Sequence, residues 1–167
     1  VVSGLALGID AAAHEGALRG GTTLTLATVA VVGTGLDRVY PKGNQALAEE
    51  VALRGCLISE YPLGTPPLPA HFPQRNRLIA ALGQGCLVVE AALASGSLTT
   101  AHQALELGRE VFAIPGSIHS PQSRGCHALL RQGAKLVESI QDISEELPPQ
   151  DSFIAKPLTT SMPAILQ

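Results

Sequence analysis

Short apolar runs alternate along the chain with segments in which alanine and leucine recur among polar residues. The apolar runs predict strands at residues 1–4, 22–32, 56–61, 86–91, 110–116 and 135–137. The intervening segments predict helices at residues 9–19, 44–54, 75–82, 98–108, 126–132 and 140–147. Alanine favours the helices, and Gly or Pro stands where many of these segments stop. The pattern therefore predicts a regular alternation of strands and helices.

The predicted strands are continuously apolar and do not alternate with polar residues. Continuous apolar strands joined through helices are typical of a parallel sheet that helices cover on both faces. We therefore expect an α/β fold, with a doubly wound, mostly parallel sheet in a Rossmann-like three-layer α/β/α arrangement. Residues 1–147 are predicted to form this domain, and residues 148–167 a linker or the start of a C-terminal domain. Because the chain starts abruptly at the end of a strand pattern, we expect a first strand upstream.

The composition supports a compact domain and favours one cellular location. Hydrophobic residues make up 46% of the 167 residues and charged residues only 15%, against about 25% charged in average domains. No apolar run is long enough to cross a bilayer, and no secretory leader is visible. The three cysteines, Cys56, Cys86 and Cys126, are too few and odd in number for a disulfide framework. We expect a cytoplasmic protein with reduced thiols and no membrane partner.

The charge distribution allows only a local anion site. The net charge is −3, which argues against a general nucleic-acid-binding surface. Five acidic residues follow residue 137, where Lys156 is the only basic residue. Residues 1–137 then hold 10 basic and 9 acidic residues, a net charge of +1.

The loops after the predicted strands are the expected ligand-binding positions, since doubly wound sheets bind ligands beyond the carboxyl ends of their strands. Ser3–Gly4, Gly96–Ser97 and Gly116–Ser117 lie in three of these loops. Glycine before a helix exposes backbone N–H groups that bind anions, although a tight turn explains any single glycine equally. The stretch ASGSLTT, 94–100, favours phosphate binding because it leads from a strand directly into a helix.

The stretch HFPQRNRLIAAL, 71–82, places two arginines at the start of a predicted helix, where the helix dipole disfavours positive charge. Arg75 and Arg77 point in different directions at this spacing, so one can meet an anion while the other pairs with an acid. A buried ion pair that orients the helix is the alternative for either arginine. Phe72 beside them suits base stacking, or it anchors the proline-rich loop on the core.

Candidate catalytic groups are few. Glu60 and Glu90 end predicted strands, where a carboxylate can act as general acid or base. The five histidines show no metal-ligand spacing, and we expect neither a metal nor a cofactor. GTGLDR, 33–38, is a poor dinucleotide fingerprint because Arg38 replaces its third glycine.

Five stretches together resemble the Rossmann-like domain of the DNA-processing protein A (DprA/Smf) family. They are SGLALGIDAAAHEGAL, GTGLDRVYPKGN, FPQRNRLIAAL, VVEAALASGSLTTAHQALELGREVFAIPGS and SRGCHALLRQGAKLVESIQDI. The stretches follow the family's order over residues 1–147. The resemblance implies a non-enzymatic domain that binds single-stranded DNA, protects incoming strands in natural transformation and loads the RecA recombinase. It also implies a sheet related to that of lysine-decarboxylase-like (LOG) proteins.

The resemblance further implies which residues form the DNA pocket. Arg75–Arg77 match the family's RNR motif, Gly96–Ser97 match its GS turn, and Lys42 lies in its YPxxN segment. The residues expected to bind DNA or phosphate are Ser3, Gly4, Lys42, Phe72, Arg75, Asn76, Arg77, Gly96, Ser97, Gly116 and Ser117. Leu7 and Gly83 depart from the family pattern, in which a basic residue and a serine are usual at these places.

Two other functions compete with DNA binding. A nucleotide phosphoribohydrolase of the LOG type uses a glycine turn and a glutamate, where this chain has Thr99 and Thr100. A protein-binding module would instead pair through apolar residues of the last two predicted helices, unless these residues pack in the core. The residues predicted to form a homodimer interface are Leu129, Leu130, Ile140 and Ile143.

Overall fold

The structure is a computed structural model that describes residues 1–23 and 26–147. Its strands are β1 (Val2–Ser3), β2 (Val29–Val31), β3 (Cys56–Ile58), β4 (Gly85–Val88), β5 (Glu110–Ala113) and β6 (Lys135–Leu136). Its α-helices are α1 (Ile9–Gly20), α2 (Gln45–Arg54), α3 (His71–Leu82), α4 (Gly96–Glu106), α5 (Arg124–Arg131) and α6 (Ile140–Ser144). Short 3₁₀ turns at Lys42–Asn44 and Pro121–Ser123 precede α2 and α5.

The strands form two three-stranded sheets in chain order, β1-β2-β3 and β4-β5-β6. All of the recorded strand pairs are parallel, so the predicted α/β class with parallel strands is confirmed. The sequence predicted one continuous sheet, whereas the ladders among the described residues stop at β1 and at β4. Apolar runs identify strands, but they carry no information about which strand edges meet.

Each sheet has its own buried core, and α3 connects the two halves. Val51 and Leu18 belong to the core cluster beside the first sheet, and Val111 and Ala104 to the cluster beside the second. Helix α3 contacts β1 and β2 on one side and packs along α4, which lies on β4. The residues of α3 therefore hold the carboxyl ends of the first sheet against the second half.

Several element boundaries differ from those predicted. The β-rich run at 22–32 yields only β2, and its residues 24 and 25 lie outside the described part of the chain. Helix α3 begins at His71, not at residue 75, because Pro73 fits within the first helical turn, whose N–H groups have no intrahelical partner. Arg75 therefore stands in the second turn, beyond the positive end of the helix dipole. The predicted linker at 148–167 lies outside the described residues.

The residues predicted to form a homodimer interface are only partly exposed. Leu129 is 1% exposed and belongs to the core under β5, so its prediction as an exposed contact is wrong. Leu130 packs against the same cluster. Ile140, by contrast, is 68% exposed. Helix α5 buries its apolar residues against β5, which a helical pattern alone did not distinguish from an outward face.

A buried histidine ties α1 to the first sheet. The Nδ1 of His14 lies 2.8 Å from Thr28 Oγ1, which itself donates to the carbonyl of Val1 at 2.9 Å. Since the single hydroxyl proton goes to Val1, Nδ1 carries the proton that Thr28 accepts. Nε2 is buried without a partner among the described residues. Burial lowers the pKa of His14, although Asp10 opposes this shift.

This histidine predicts acid sensitivity. Below the unfolded-state pKa of about 6.5, the unfolded chain binds a proton that folded His14 resists, so the free energy of unfolding falls as pH drops. The loss is at most about 1.4 kcal/mol per pH unit. His14→Gln should show a shallower decline between pH 7.5 and 5.5 than wild type in urea denaturation. If the free energy of unfolding falls with pH equally in the two proteins, a group other than His14 causes the acid sensitivity.

Candidate functional site

A cavity of about 570 Å³ separates the facing edges of β1 and β4. Its walls come from the two strands, from the start of α1, from one side of α3 and from the N-terminus of α4. The predicted site residues that line this first cavity are Ser3, Arg75, Asn76, Gly96 and Ser97. Glu90 lines it too, at the end of β4.

Arg75 is 6% exposed and joins three elements. Its Nη1 donates to the carbonyl of Gly4 at 2.8 Å and also to the carbonyl of Val31, and its Nε donates to Asn76 Oδ1 at 3.1 Å. Gly4 directly follows β1, and Val31 is the last residue of β2. The guanidinium therefore ties the ends of both strands to α3. Burial lowers the pKa of Arg75, but arginine stays protonated in proteins. The Nη1 and Nε donors are thus used within the fold, whereas Nη2 has no hydrogen-bond partner among the described residues.

The loop after β1 is shaped around this arginine. A Cβ on Gly4 would lie 2.5 Å from Arg75 Nη2, so the close approach requires glycine. The carboxylate of Asp10 accepts from the N–H groups of Gly4 at 3.0 Å and Ala6 at 3.2 Å. Leu5 adopts a φ of 60°, in the left-handed region, and its carbonyl accepts from Asn44 Nδ2 at 2.9 Å. Such backbone strain is maintained only where surrounding contacts compensate it.

The N-terminus of α4 faces Asn76. A Cβ on Gly96 would lie 4.0 Å from Asn76 Nδ2, which places the amide beside the first turn of the helix. Ser95 caps the helix by accepting from the N–H of Ser97 at 3.2 Å. The N–H of Leu98 donates to the carbonyl of Ser95 at 3.1 Å, so the N–H of Gly96 is the one in this turn that has no partner among the described residues and can meet an anion.

Phe72 stands one helical turn before Asn76, and residues four apart lie on one face of a helix. The ring covers Gly33 after β2, where an added Cβ would lie 3.1 Å from Phe72 Cδ1. It also pairs with Tyr40, at a centroid separation of 5.5 Å and an interplanar angle of 31°. Phe72 is thus both anchored and partly exposed. Tyr40 was not among the site residues predicted from the sequence, although the stretch GTGLDRVYPKGN contains it.

Arg77 lies on the outer side of α3 and pairs with Glu60, which follows β3. Their side chains are 57% and 40% exposed. Neither residue lines the first cavity. The expectation that one arginine meets an acid therefore holds for Arg77, and Glu60 is occupied by that pair.

Lys42 is separate from the first cavity. It lines a second cavity, of about 510 Å³, which also includes Arg38, Tyr40 and Gln45. Lys42 is exposed and opens the 3₁₀ turn before α2. Tyr40 also lines this second cavity, and its ring contacts Phe72, which lines neither cavity.

Gly116 and Ser117 lie in a different environment. A Cβ on Gly116 would lie 2.0 Å from Ser123 Oγ, and its carbonyl pairs with His127 Nε2 at 2.9 Å. Neither Gly116 nor Ser117 lines either of the two cavities. The close approach of Ser123 explains why residue 116 is glycine. Anion binding by Gly116 and Ser117 stays a prediction.

The described residues contain neither a metal-binding cluster nor a membrane-spanning helix. No group of three or more His, Cys, Asp or Glu side chains in residues 1–23 and 26–147 is placed to hold a metal ion. No helix in the same ranges is long and apolar enough to cross a membrane.

Comparison with known proteins identifies the family. The family model for DNA recombination-mediator protein A matches residues 1–148. This chain belongs to that family. It is 53% identical over 146 residues to DNA processing protein DprA of Streptococcus pneumoniae, covering 87% of this chain and 50% of that one. It is 50% identical over 148 residues to Protein Smf of Escherichia coli, covering 88% of this chain and 38% of that one.

Solved structures of the family share this fold. The X-ray structure of the S. pneumoniae protein matches with a TM-score of 0.79 over 87% of this chain and 50% of its own. DNA processing protein A from Helicobacter pylori, solved to explain its single-stranded DNA binding mode, matches with a TM-score of 0.76 and 33% identity. That match covers 87% of this chain and 64% of the other. The chain spans about half the length, or less, of the first curated relatives that it matches.

We expect this domain to depend on Arg75 for stability. Arg75→Ala leaves the buried carbonyls of Gly4 and Val31 without this donor, and we expect a loss of about 3 kcal/mol in the free energy of unfolding. Arg77→Ala removes an exposed ion pair and should cost no more than about 1 kcal/mol. Urea denaturation of both variants at pH 7 measures the contrast. Similar losses in the two would contradict the clamping role of Arg75.

Proposed function

We propose that this domain binds single-stranded DNA at the carboxyl ends of β1, β2 and β4. The observation that carries the proposal is the alignment of Phe72 and Asn76 on one face of α3. Asn76 points to the N-terminus of α4, and Phe72 leads to Tyr40 and the second cavity. An aromatic face, an amide and a helix N-terminus thus follow one line, which suits a base beside a phosphate.

The chemistry favours a single strand over a duplex. Partly exposed rings stack on unpaired bases, whereas duplex bases are already stacked on each other. Phosphate contacts and stacking carry little sequence information, so we expect binding that tolerates any sequence. The single-stranded DNA binding mode named for the related H. pylori protein supports the same choice.

The source of positive charge differs from that suggested by the RNR motif. Arg75 donates through Nη1 to two backbone carbonyls, and Arg77 pairs with Glu60 at the surface, so each arginine already has a partner in the domain. The groups left to meet phosphate are Lys42, Arg38 and the first turn of α4. We therefore assign Arg75 mainly to building the site, with Asn76, Gly96 and Ser97 at its surface.

We also propose how residues 1–147 are completed in the longer protein. The edges of β1 and β4 have no strand partner among the described residues, and they face each other across the first cavity. Two open edges of parallel sheets suit one further strand, which we assign to chain preceding residue 1. Such a strand would fill the cavity between the edges and leave Asn76, Gly96 and Ser97 at its mouth for DNA.

The whole-protein role follows the family. We propose protection of incoming single strands and loading of RecA in transformation or recombination, by a homodimer to which Ile140 and Ile143 contribute. We place the protein in the cytoplasm, since Cys56, Cys86 and Cys126 are all free thiols. These activities belong to a protein about twice as long as the present chain, as judged by its relatives.

We propose that the domain is not an enzyme. The LOG-type alternative needs a carboxylate beside the glycine turn to act on the ribose. Helix α4 has no acid in its first turn. Glu90 lines the first cavity, but it lies directly after β4 and not in the glycine turn that begins α4. Release of free base from nucleoside monophosphates would revive the enzymatic reading.

Fluorescence anisotropy of labelled oligo-dT against a duplex of equal length tests the proposal on the full-length protein. We expect salt-sensitive binding that prefers single strands, with a slope of roughly −0.7 in log affinity against log salt for each phosphate contacted. Phe72→Leu keeps the contact on Gly33 but removes the aromatic face, and should weaken binding about fivefold or more. Phe72→Tyr restores a stacking face and is the matched control. Absence of single-strand binding at low salt would overturn the proposed function.

A further inference from the structure

The second cavity lies beside the Phe72–Tyr40 pair and has both an aromatic wall and cations. Its volume is about 510 Å³, enough for a nucleotide. The residues that line it are Arg38, Val39, Tyr40, Lys42, Gln45 and Pro67. Neither the family match nor the names of the relatives assign a function to this groove.

Tyr40 supplies an exposed ring in this groove. Its side chain is 47% exposed although it contacts Phe72, so only part of its surface is covered. The interplanar angle of 31° means that the two rings present separate faces rather than one stack. Pro67 contributes a second apolar surface across the groove. A flat apolar slot of this kind suits a base more than an ion.

The cations of the groove are exposed to solvent, where an anion can reach them. Lys42 has no ion-pair partner among the described residues. Arg38 lies 3.9 Å from Asp37, a loose contact between side chains that are 52% and 43% exposed. The nearby acids are occupied, because Asp37 accepts from the N–H of Gly64 at 2.7 Å and Glu49 accepts from Gln45 at 2.7 Å.

The groove is held in shape before any ligand binds. Buried Thr34 donates to the carbonyl of Arg38 at 2.8 Å, which closes the loop after β2. Buried Asn44 joins the turn after Lys42 to the loop after β1, through the carbonyls of Leu5 and Ala6. A preorganised groove loses less entropy when a ligand binds, which favours affinity from few contacts.

We infer that this groove is a second nucleotide subsite, in which a base stacks on Tyr40 and its phosphate meets Lys42 and Arg38. The inference rests on the proposed function and extends it. The strand would run from the N-terminus of α4 across Phe72 to Tyr40, and end beside the start of α2. Tyr40 then contacts DNA directly, and not only through its support of Phe72.

Anisotropy titrations of oligo-dT with the full-length protein test the subsite. Tyr40→Leu should weaken binding of oligomers of about 16 nucleotides fivefold or more, while Tyr40→Phe retains wild-type affinity. Leu36→Ala is the matched control, since Leu36 is 46% exposed in the same loop but does not line the groove. Lys42→Ala should reduce the salt slope by about 0.7, and Tyr40→Leu should leave it unchanged.

A double-mutant cycle separates direct contact from support of Phe72. If Tyr40 binds its own base, the double variant binds more weakly than either Tyr40→Leu or Phe72→Leu alone, although the two rings touch and their losses therefore do not multiply exactly. If the double variant is no weaker than Phe72→Leu alone, Tyr40 only supports Phe72 and the subsite is overturned. Photocrosslinking of oligomers that contain 5-iodouracil gives a second readout, with Tyr40 the expected attachment point.

The outcomes distinguish this inference from the proposed function. Failure of wild type to bind single strands at low salt overturns both. Binding that Phe72→Leu weakens, but that Tyr40→Leu weakens no more than Leu36→Ala, overturns the subsite alone. Circular dichroism of each variant should match wild type, because Tyr40 and Leu36 are both about half exposed.

Discussion

The buried guanidinium of Arg75 is the interaction on which the candidate site depends. A charged group removed from water needs hydrogen-bond partners, and the carbonyls of Gly4 and Val31 accept from its Nη1 at the ends of β1 and β2. Glycine is required at position 4 because the guanidinium lies where a side chain would begin. Asp10 binds the same loop and supplies a balancing negative charge. One side chain therefore sets the distance between the first sheet and α3.

The position of α3 then determines what the domain presents to solvent. With Arg75 turned inward, Phe72 and Asn76 lie on either side of it along the helix. Phe72 rests on Gly33, and Asn76 lies beside Gly96. Residues 1–137 carry a net charge of only +1, so we expect an anion to be bound by a few placed groups and by the dipole of α4. This arrangement suits a ligand that brings its own stacking surface along with its charge.

The internal pairing of charges changes the meaning of the RNR motif. Arginine is the residue best suited to satisfy several backbone carbonyls at once, because its donors are spread over a rigid plane. Arg75 uses that property inside the fold, and Arg77 uses its charge on Glu60 at the surface. A motif rich in arginine within a family that processes DNA can thus serve architecture first. The groups at the surface are then the aromatic rings, the amide and the helix N-terminus.

Much of the fold follows from the sequence alone. Continuous apolar runs and alanine-rich helices determined the parallel α/β class, and the glycines after strands indicated where ligands are expected to bind, because both are local patterns. Tertiary structure decided the rest. It turned Arg75 inward, buried Leu129 under β5, kept Gly116 away from both cavities and paired Tyr40 with Phe72. Periodicity shows that a face is apolar or a loop is polar, but which groups meet across the fold depends on packing between distant segments.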